Sequence, residues 1–209
     1  MTMNYTYLDT ETSGLDRFHD QVLEFSAITK DADGNLWVCG LMESDIYSRY
    51  ERMLGQKRYR NETIVKISPK GKILYEKSVT DILLENGYRA LLFGVQRYEP
   101  DLLHLNDVEP ALYSTKSWNK GDLLLSLRNI STVLLFRPKT DRLIWLKTGP
   151  WVNQHDADFA GHNEVTIFSN NNIREDAKNA GPILGDNNEI YVFNLETQQV
   201  STPYTETIK

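Results

Sequence analysis

Apolar and polar positions along this chain alternate in short runs, and the runs come in pairs around turns. Ile64-Val65-Lys66-Ile67, then Ser68-Pro69-Lys70-Gly71, then Lys72-Ile73-Leu74-Tyr75 reads as two strands about a tight turn. Proline presets the φ of a turn and glycine accepts the positive φ that closes it. Val133-Leu134-Leu135-Phe136, the turn at 137–141 and Leu143-Ile144-Trp145 repeat the plan, and Ile190-Tyr191-Val192-Phe193 with Gln199-Val200 is a third, weaker copy. Upstream of each hairpin lies another strand led by a polar turn: Asp33-Gly34-Asn35 before Leu36, Lys120-Gly121-Asp122 before Leu123, and His162-Asn163-Glu164 before Val165.

Three segments set a histidine ahead of these hairpins: Phe18-His19-Asp20, His104-Leu105-Asn106-Asp107 and Gln154-His155-Asp156. Each unit therefore reads as a histidine-bearing strand, a second strand and a closing hairpin, which is the make-up of a propeller blade. The expected fold is all-β, a β-propeller segment of about three four-stranded blades with short helical and loop insertions. It forms one partial domain over 1–209, with blade-like units at about 17–80, 101–150 and 151–204. In such a radial repeat the histidines hold equivalent positions and gather at the axis-facing ends of their strands. Their spacing is uneven, so insertions are expected. Residues 43–61 are charged and tyrosine-rich, residues 79–87 carry a Thr80/Asp81 start, an apolar stripe and an Asn86-Gly87 stop that suit a short helix, and residues 170–188 read as an Asn/Gly-rich loop over one face. Closed propellers take about four to eight blades. The missing ones are expected from another polypeptide, a second copy or the other half of the same protein, so the chain is not expected to persist as a monomer.

Composition narrows the function. Hydrophobic residues make up 40% and charged residues 25% of the 209, and mean hydropathy is negative, as in a globular protein rather than a disordered or membrane-spanning one. No apolar run approaches the ~20 residues of a transmembrane helix, so no membrane span is expected. A net charge of −6 gives no general reason to expect nucleic acid as a partner. The single cysteine, Cys39, excludes an internal disulfide and a multi-cysteine metal site, and in Leu36-Trp37-Val38-Cys39 it fits as a small apolar strand residue. The start, Met1-Thr2-Met3-Asn4-Tyr5, has neither a basic nor an apolar leader region, and the compartment stays open.

One ordered series of motifs carries chemistry. His104-Leu105-Asn106-Asp107-Val108-Glu109-Pro110, Gly121-Asp122 through Ser126-Leu127-Arg128, Ile144-Trp145, Gly149, Gln154-His155-Asp156 and Phe168-Ser169-Asn170-Asn171 together resemble the arylsulfotransferase family of six-bladed propellers. Phe18-His19-Asp20 and Asp33-Gly34-Asn35-Leu36-Trp37-Val38 look like the preceding blade, and the resemblance, from about Phe18 to Leu195, matches the C-terminal half of a family member. It implies an enzyme that works without a nucleotide sulfate donor and without cofactor or metal. A histidine takes the sulfuryl group from a phenolic sulfate ester and passes it to another phenol. By this resemblance His155 matches the nucleophile, and His19, His104, Asn106 and Arg128 match the sulfuryl pocket, with His104 and Arg128 counted with His155 as catalytic. A periplasmic or secreted location is also implied. The residue types suit these roles. A neutral imidazole is a nucleophile near pH 7, fixed donors stabilise charge on the sulfuryl oxygens, and an arginine reads an oxyanion through two parallel donors where a lysine cannot.

Other readings stand beside this one. Three histidines can hold a metal in an open site, with Asp20 or Asp156 supporting them. A propeller can also serve as a binding or assembly subunit without turnover. Asp9-Thr10-Glu11, in Tyr5 through Leu15 followed by Val22-Leu23-Glu24-Phe25, is similar to the first motif of proofreading-type 3′–5′ exonucleases, where an Asp-x-Glu pair binds two divalent metals. That fold needs helix-rich α/β structure, whereas residues 120–200 read as consecutive strands. His162 sits in a turn and reads as a solvated loop residue, and Trp37, Trp145 and Trp151 read as inter-blade packing.

Overall fold

The computed structural model describes residues 29–42, 59–94, 99–171 and 188–207. They form three four-stranded antiparallel sheets, each in simple up-and-down order. Blade A holds β1 (Thr29–Lys30), β2 (Leu36–Leu41), β3 (Glu62–Ile67) and β4 (Ile73–Ser78). Blade B holds β5 (Leu105–Pro110), β6 (Leu123–Leu127), β7 (Thr132–Arg137) and β8 (Arg142–Thr148). Blade C holds β9 (Gln154–Gly161), β10 (Glu164–Ser169), β11 (Glu189–Asn194) and β12 (Val200–Ser201). The chain is an all-β propeller segment, as its hairpin pattern predicted.

The blades stack face to face through two apolar seams, and β6 shows how the sequence specifies both. Its run Leu123-Leu124-Leu125-Ser126-Leu127 is buried throughout, as expected of a strand covered on both faces. Leu123, Leu125 and Leu127 join Trp37, Ile64, Val108 and Phe136 in the seam with blade A. Leu124 joins Val133, Trp151, Ala157, Val165, Ile167 and Phe193 in the seam with blade C. Each such side chain contributes about 1.5–3 kcal/mol on burial. The tryptophans pack between blades. Trp145 stacks on Phe193 at 5.0 Å, Trp151 meets Tyr191 and Phe193 edge-on, and Trp118, which the sequence reading did not single out, tilts onto Phe159 at 4.8 Å.

Between blades A and B run two short helices, α1 (Val79–Glu85) and α2 (Arg89–Phe93). The first was expected. Its cap lies slightly earlier, at Ser78, whose hydroxyl accepts from Asp81 N–H at 3.2 Å. Asn86 and Gly87 end it, Gly87 at a φ of 87° that favours glycine. The second was not foreseen, because five residues carry too little periodicity to read.

The helix-rich α/β fold needed by the nuclease reading has no counterpart among the described residues. Asp9 and Glu11 lie outside them, as do His19 and most of the insertions read at 43–61 and 170–188. His162 is exposed in the β9–β10 turn, as expected.

Candidate active site

All pairing within each blade is antiparallel, so the start of the inner strand and the loop from second to third strand lie at one end. There the inner strands of blades B and C repeat a local distortion. In β5, Leu105 pairs with Leu127 and Asp107 with the adjacent Ser126, so Asn106 is the extra residue of a β-bulge. In β9, Gln154 pairs with Ser169 and Asp156 with the adjacent Phe168, so His155 is the extra residue of the matching bulge. A bulge turns its extra side chain out of the regular alternation, and such sites recur beside active centres. Two residues before each bulge the backbone enters the left-handed region, at His104 (φ 54°) and at Asn153 (φ 52°). The residue after each paired second strand is Arg128 in blade B and Asn170 in blade C.

The blade ends thus offer three repeated positions, filled by His104, Asn106 and Arg128 in blade B and by Asn153, His155 and Asn170 in blade C. This changes one expectation. His104 and His155 are not equivalent. His155 corresponds to Asn106, and His104 precedes its strand and corresponds to Asn153. The sequence pattern set the two histidines level because it aligned them by residue type, whereas His104 lies just before β5 and His155 is the second residue of β9.

Hydrogen bonds, most of them to the main chain, tie together the segments that carry His104, Asn106, Arg128 and His155. Asn106 Nδ2 donates to the Gln154 carbonyl at 3.3 Å, one peptide bond from His155, and so links the two bulges across the blade boundary. Gln154, fully buried, donates from Nε2 to the Thr132 carbonyl at 3.0 Å, and Asn153 N–H donates to Ser131 Oγ at 3.2 Å. His104 and Arg128 are tied by their main chains, Arg128 N–H donating to the His104 carbonyl at 3.0 Å. His155 is half-buried, and Arg128 is buried although it opens a 3-10 turn in a loop.

A carboxylate that the sequence did not flag stands behind His104. Asp101 Oδ2 lies 2.6 Å from His104 Nδ1, and its Oδ1 lies 3.6 Å from Arg60 Nε. Asn129 Nδ2 donates to the Asp101 carbonyl while Asn129 Oδ1 accepts from Arg128 Nη1 at 2.9 Å. Burial alone would raise the Asp101 carboxyl. The His104 hydrogen bond and the charges of Arg60 and Arg128 outweigh it and hold the group below its ordinary value. Glu62, at the start of β3, accepts from Leu105 N–H at 2.9 Å and ties blade A to the first strand of blade B. Burial pushes its carboxyl up, and the Asp101 charge adds to this against the Leu105 hydrogen bond.

Just beyond the bulges the inner strands carry acids at alternate positions: Asp107 and Glu109 in β5, Asp156 and Asp158 in β9. Asp107 is only 4% exposed, and burial together with Asp156, Glu109 and Asp158 raises its carboxyl well above the usual range. Burial and the Asp158 charge push Glu109 up to about 8, and the same two causes push Asp156 up to about 7. The alternation Asp-x-Glu and Asp-x-Asp after each site motif was the visible signal for this acidic ladder. Among the described residues no group of three or more His, Cys, Asp or Glu side chains is placed to hold a metal ion, and no helix is long and apolar enough to cross a membrane.

The arrangement provides an imidazole, an amide and a guanidinium at the same end of two adjacent blades, with a carboxylate-braced second imidazole beside them. Such a set can bind a tetrahedral oxyanion and offer it a nitrogen nucleophile. No curated protein matches the chain. The model of the arylsulfotransferase (ASST) family matches residues 10–208, nearly its whole length, and the chain belongs to that family.

Proposed function

We propose that this chain is an aryl-sulfate sulfotransferase that works through a sulfohistidine at His155. The observation that carries the reading is the pair of matched bulges, which set Asn106 and His155 side by side at the end of the blades where His104 and Arg128 are tied together. In the first step an imidazole nitrogen of His155 attacks sulfur, an N–S bond forms, and the S–O bond to the aryl group breaks to release a phenolate. In the second a phenol oxygen attacks the same sulfur, the N–S bond breaks, a new aryl sulfate leaves with His155 restored, and the phenol's proton ends on the phenolate released in the first step. Donor and acceptor are both phenolic, and neither step requires a nucleotide, metal or other cofactor. Arg128 and His104 stabilise the charge on the sulfuryl oxygens, and Asn106 and His19 bind the group in place.

Incubation with a chromogenic aryl sulfate tests this. The wild type is expected to release the phenol and to carry one sulfuryl adduct on the peptide containing residue 155, seen by mass spectrometry. His155→Ala is expected to lose both. Near-normal transfer by that variant would sink the assignment, and retained aryl-sulfate binding without turnover in the wild type would point to a non-catalytic binding subunit.

We further propose that another polypeptide completes the propeller. Strand register puts Asp156, Asp158, Thr166, Phe168 and Val192 on the face of blade C turned away from blade B. In blade B the face that carries Leu124 is covered by blade C. A stable compact monomer in light scattering at micromolar concentration would count against this.

A further inference from the structure

Resting on the reading of His104 as part of the sulfuryl pocket, we propose that Asp101 is a positioning residue that fixes which ring nitrogen of His104 meets the transferred group. The imidazole belongs to a residue outside the strand, in the left-handed region, so no ladder bond of β5 defines its direction. The carboxylate at Nδ1, 2.6 Å away, is a hydrogen-bond partner that holds it. Because a carboxylate only accepts, the Nδ1 nitrogen carries a proton in this pair, and Nε2 is the nitrogen turned away from Asp101.

Asp101 is itself braced from two directions. Arg60, from the segment leading into blade A's third strand, approaches its free oxygen, and Asn129 holds its main-chain carbonyl. Asn129 also accepts from Arg128. One small frame therefore sets the imidazole of His104 and the guanidinium of Arg128 against each other: Arg128 is a donor in every state, and His104, with Nδ1–H given to Asp101, donates to the transferred group from Nε2 when that nitrogen also carries a proton. The pair is only partly open to water, with side-chain exposures of 21% for His104 and 30% for Asp101. Asn129, from the β6–β7 turn that also carries Arg128, joins the Asp101–His104 pair to that arginine.

The test combines a structural and a kinetic readout. Nitrogen-15 NMR of imidazole-labelled protein, with His104 assigned by its loss in His104→Gln, is expected to show the Nδ1–H tautomer for neutral His104 in the wild type. In Asp101→Ala the Nε2–H form, favoured by imidazoles in water, is expected to take over. Asp101→Ala is expected to lower kcat about 10- to 100-fold with KM changed by less than about threefold, the loss typical when a partner that orients a functional histidine is removed. Asp101→Asn, which keeps size and an acceptor, is expected to fall between, and Asp101→Glu to restore part of the rate. In the His104→Gln background Asp101→Ala is expected to cost nothing further. An unchanged tautomer in Asp101→Ala, or additive losses in the double variant, overturns the proposal alone. A wild type that turns over no aryl sulfate overturns the sulfotransfer reading as well.

Discussion

The acidic ladder on the two inner strands makes folding stability fall as pH rises through the neutral range, and Glu109 is the residue through which to measure it. In the unfolded chain its carboxyl titrates at its ordinary value of 4.5, whereas in the folded protein burial and the Asp158 and Asp156 charges move it to about 8. Below pH 4.5 both states hold the proton and the contribution to stability is fully present. Between 4.5 and 8 the unfolded chain has released its proton and the folded one keeps it, so each step up in pH favours unfolding. At about 1.4 kcal/mol per pH unit the full displacement corresponds to about 5 kcal/mol. Asp107, Asp156 and Asp158 share the same field, so a protonated neighbour relieves Glu109, and about 2–3 kcal/mol is the loss expected from this residue between pH 5 and pH 8. Glu109→Gln keeps the shape and neutrality of the protonated acid and removes the titration. Urea unfolding followed by tryptophan fluorescence at pH 5, 6, 7 and 8 should give a wild-type stability that declines across the series. The variant's decline should be shallower, and by pH 8 it should be the more stable of the two. Wild-type stability that is flat or rising from pH 5 to 8, or a variant with the wild-type slope, would refute the reasoning. Asp31 and Asp101 are held below their ordinary values and act only at more acidic pH, outside this window.

Three further outcomes follow from contacts described here or beside them. Asp122 is 2% exposed and takes Arg137 in a two-pronged pair, Nε and Nη2 each at 2.7 Å, so Asp122→Ala should lower the urea-unfolding free energy by about 2–4 kcal/mol. Gln154→Ala removes the donor to the Thr132 carbonyl and should cost about 1–3 kcal/mol, read as a lower thermal midpoint, with any activity loss restored by cooling. Arg128→Lys keeps the charge and loses the fork that Asn129 orients, so its rate of aryl-sulfate turnover should fall about 10- to 100-fold in a steady-state assay, where an unchanged rate would remove Arg128 from the pocket.

The fold was legible because each blade seam is written twice, once in alternation and once in turn chemistry. Leu123 to Leu127 alternate between two seams, and Pro69-Lys70-Gly71 closes the β3–β4 hairpin where an up-and-down sheet needs it. The site was legible as residue types but not as geometry. Alternation carries a period of two, and the bulges at Asn106 and His155 break it without leaving any mark in composition; His104 and His155 looked equivalent because residue type does not show that one precedes its strand and the other lies within it. Asp101 escaped notice because its partner is three residues away in a loop, a spacing that signals contact only in a helix. Helix α2 escaped because one turn and a half has no readable period.

The matched bulges have a consequence for how such a protein changes over time. Asn106 and His155 occupy the same backbone address in consecutive blades, yet one presents an amide and the other an imidazole. The local distortion that aims the side chain is built by main-chain pairing with Ser126 and Leu127 in one blade and with Phe168 and Ser169 in the other, and it carries an amide in one and an imidazole in the other. Reactivity can therefore migrate around the axis by single codon changes, without moving a strand. A designer exchanging Asn106 and His155 would move the imidazole proposed as nucleophile by one blade, and the same address offers a place to write a new functional group in each repeat.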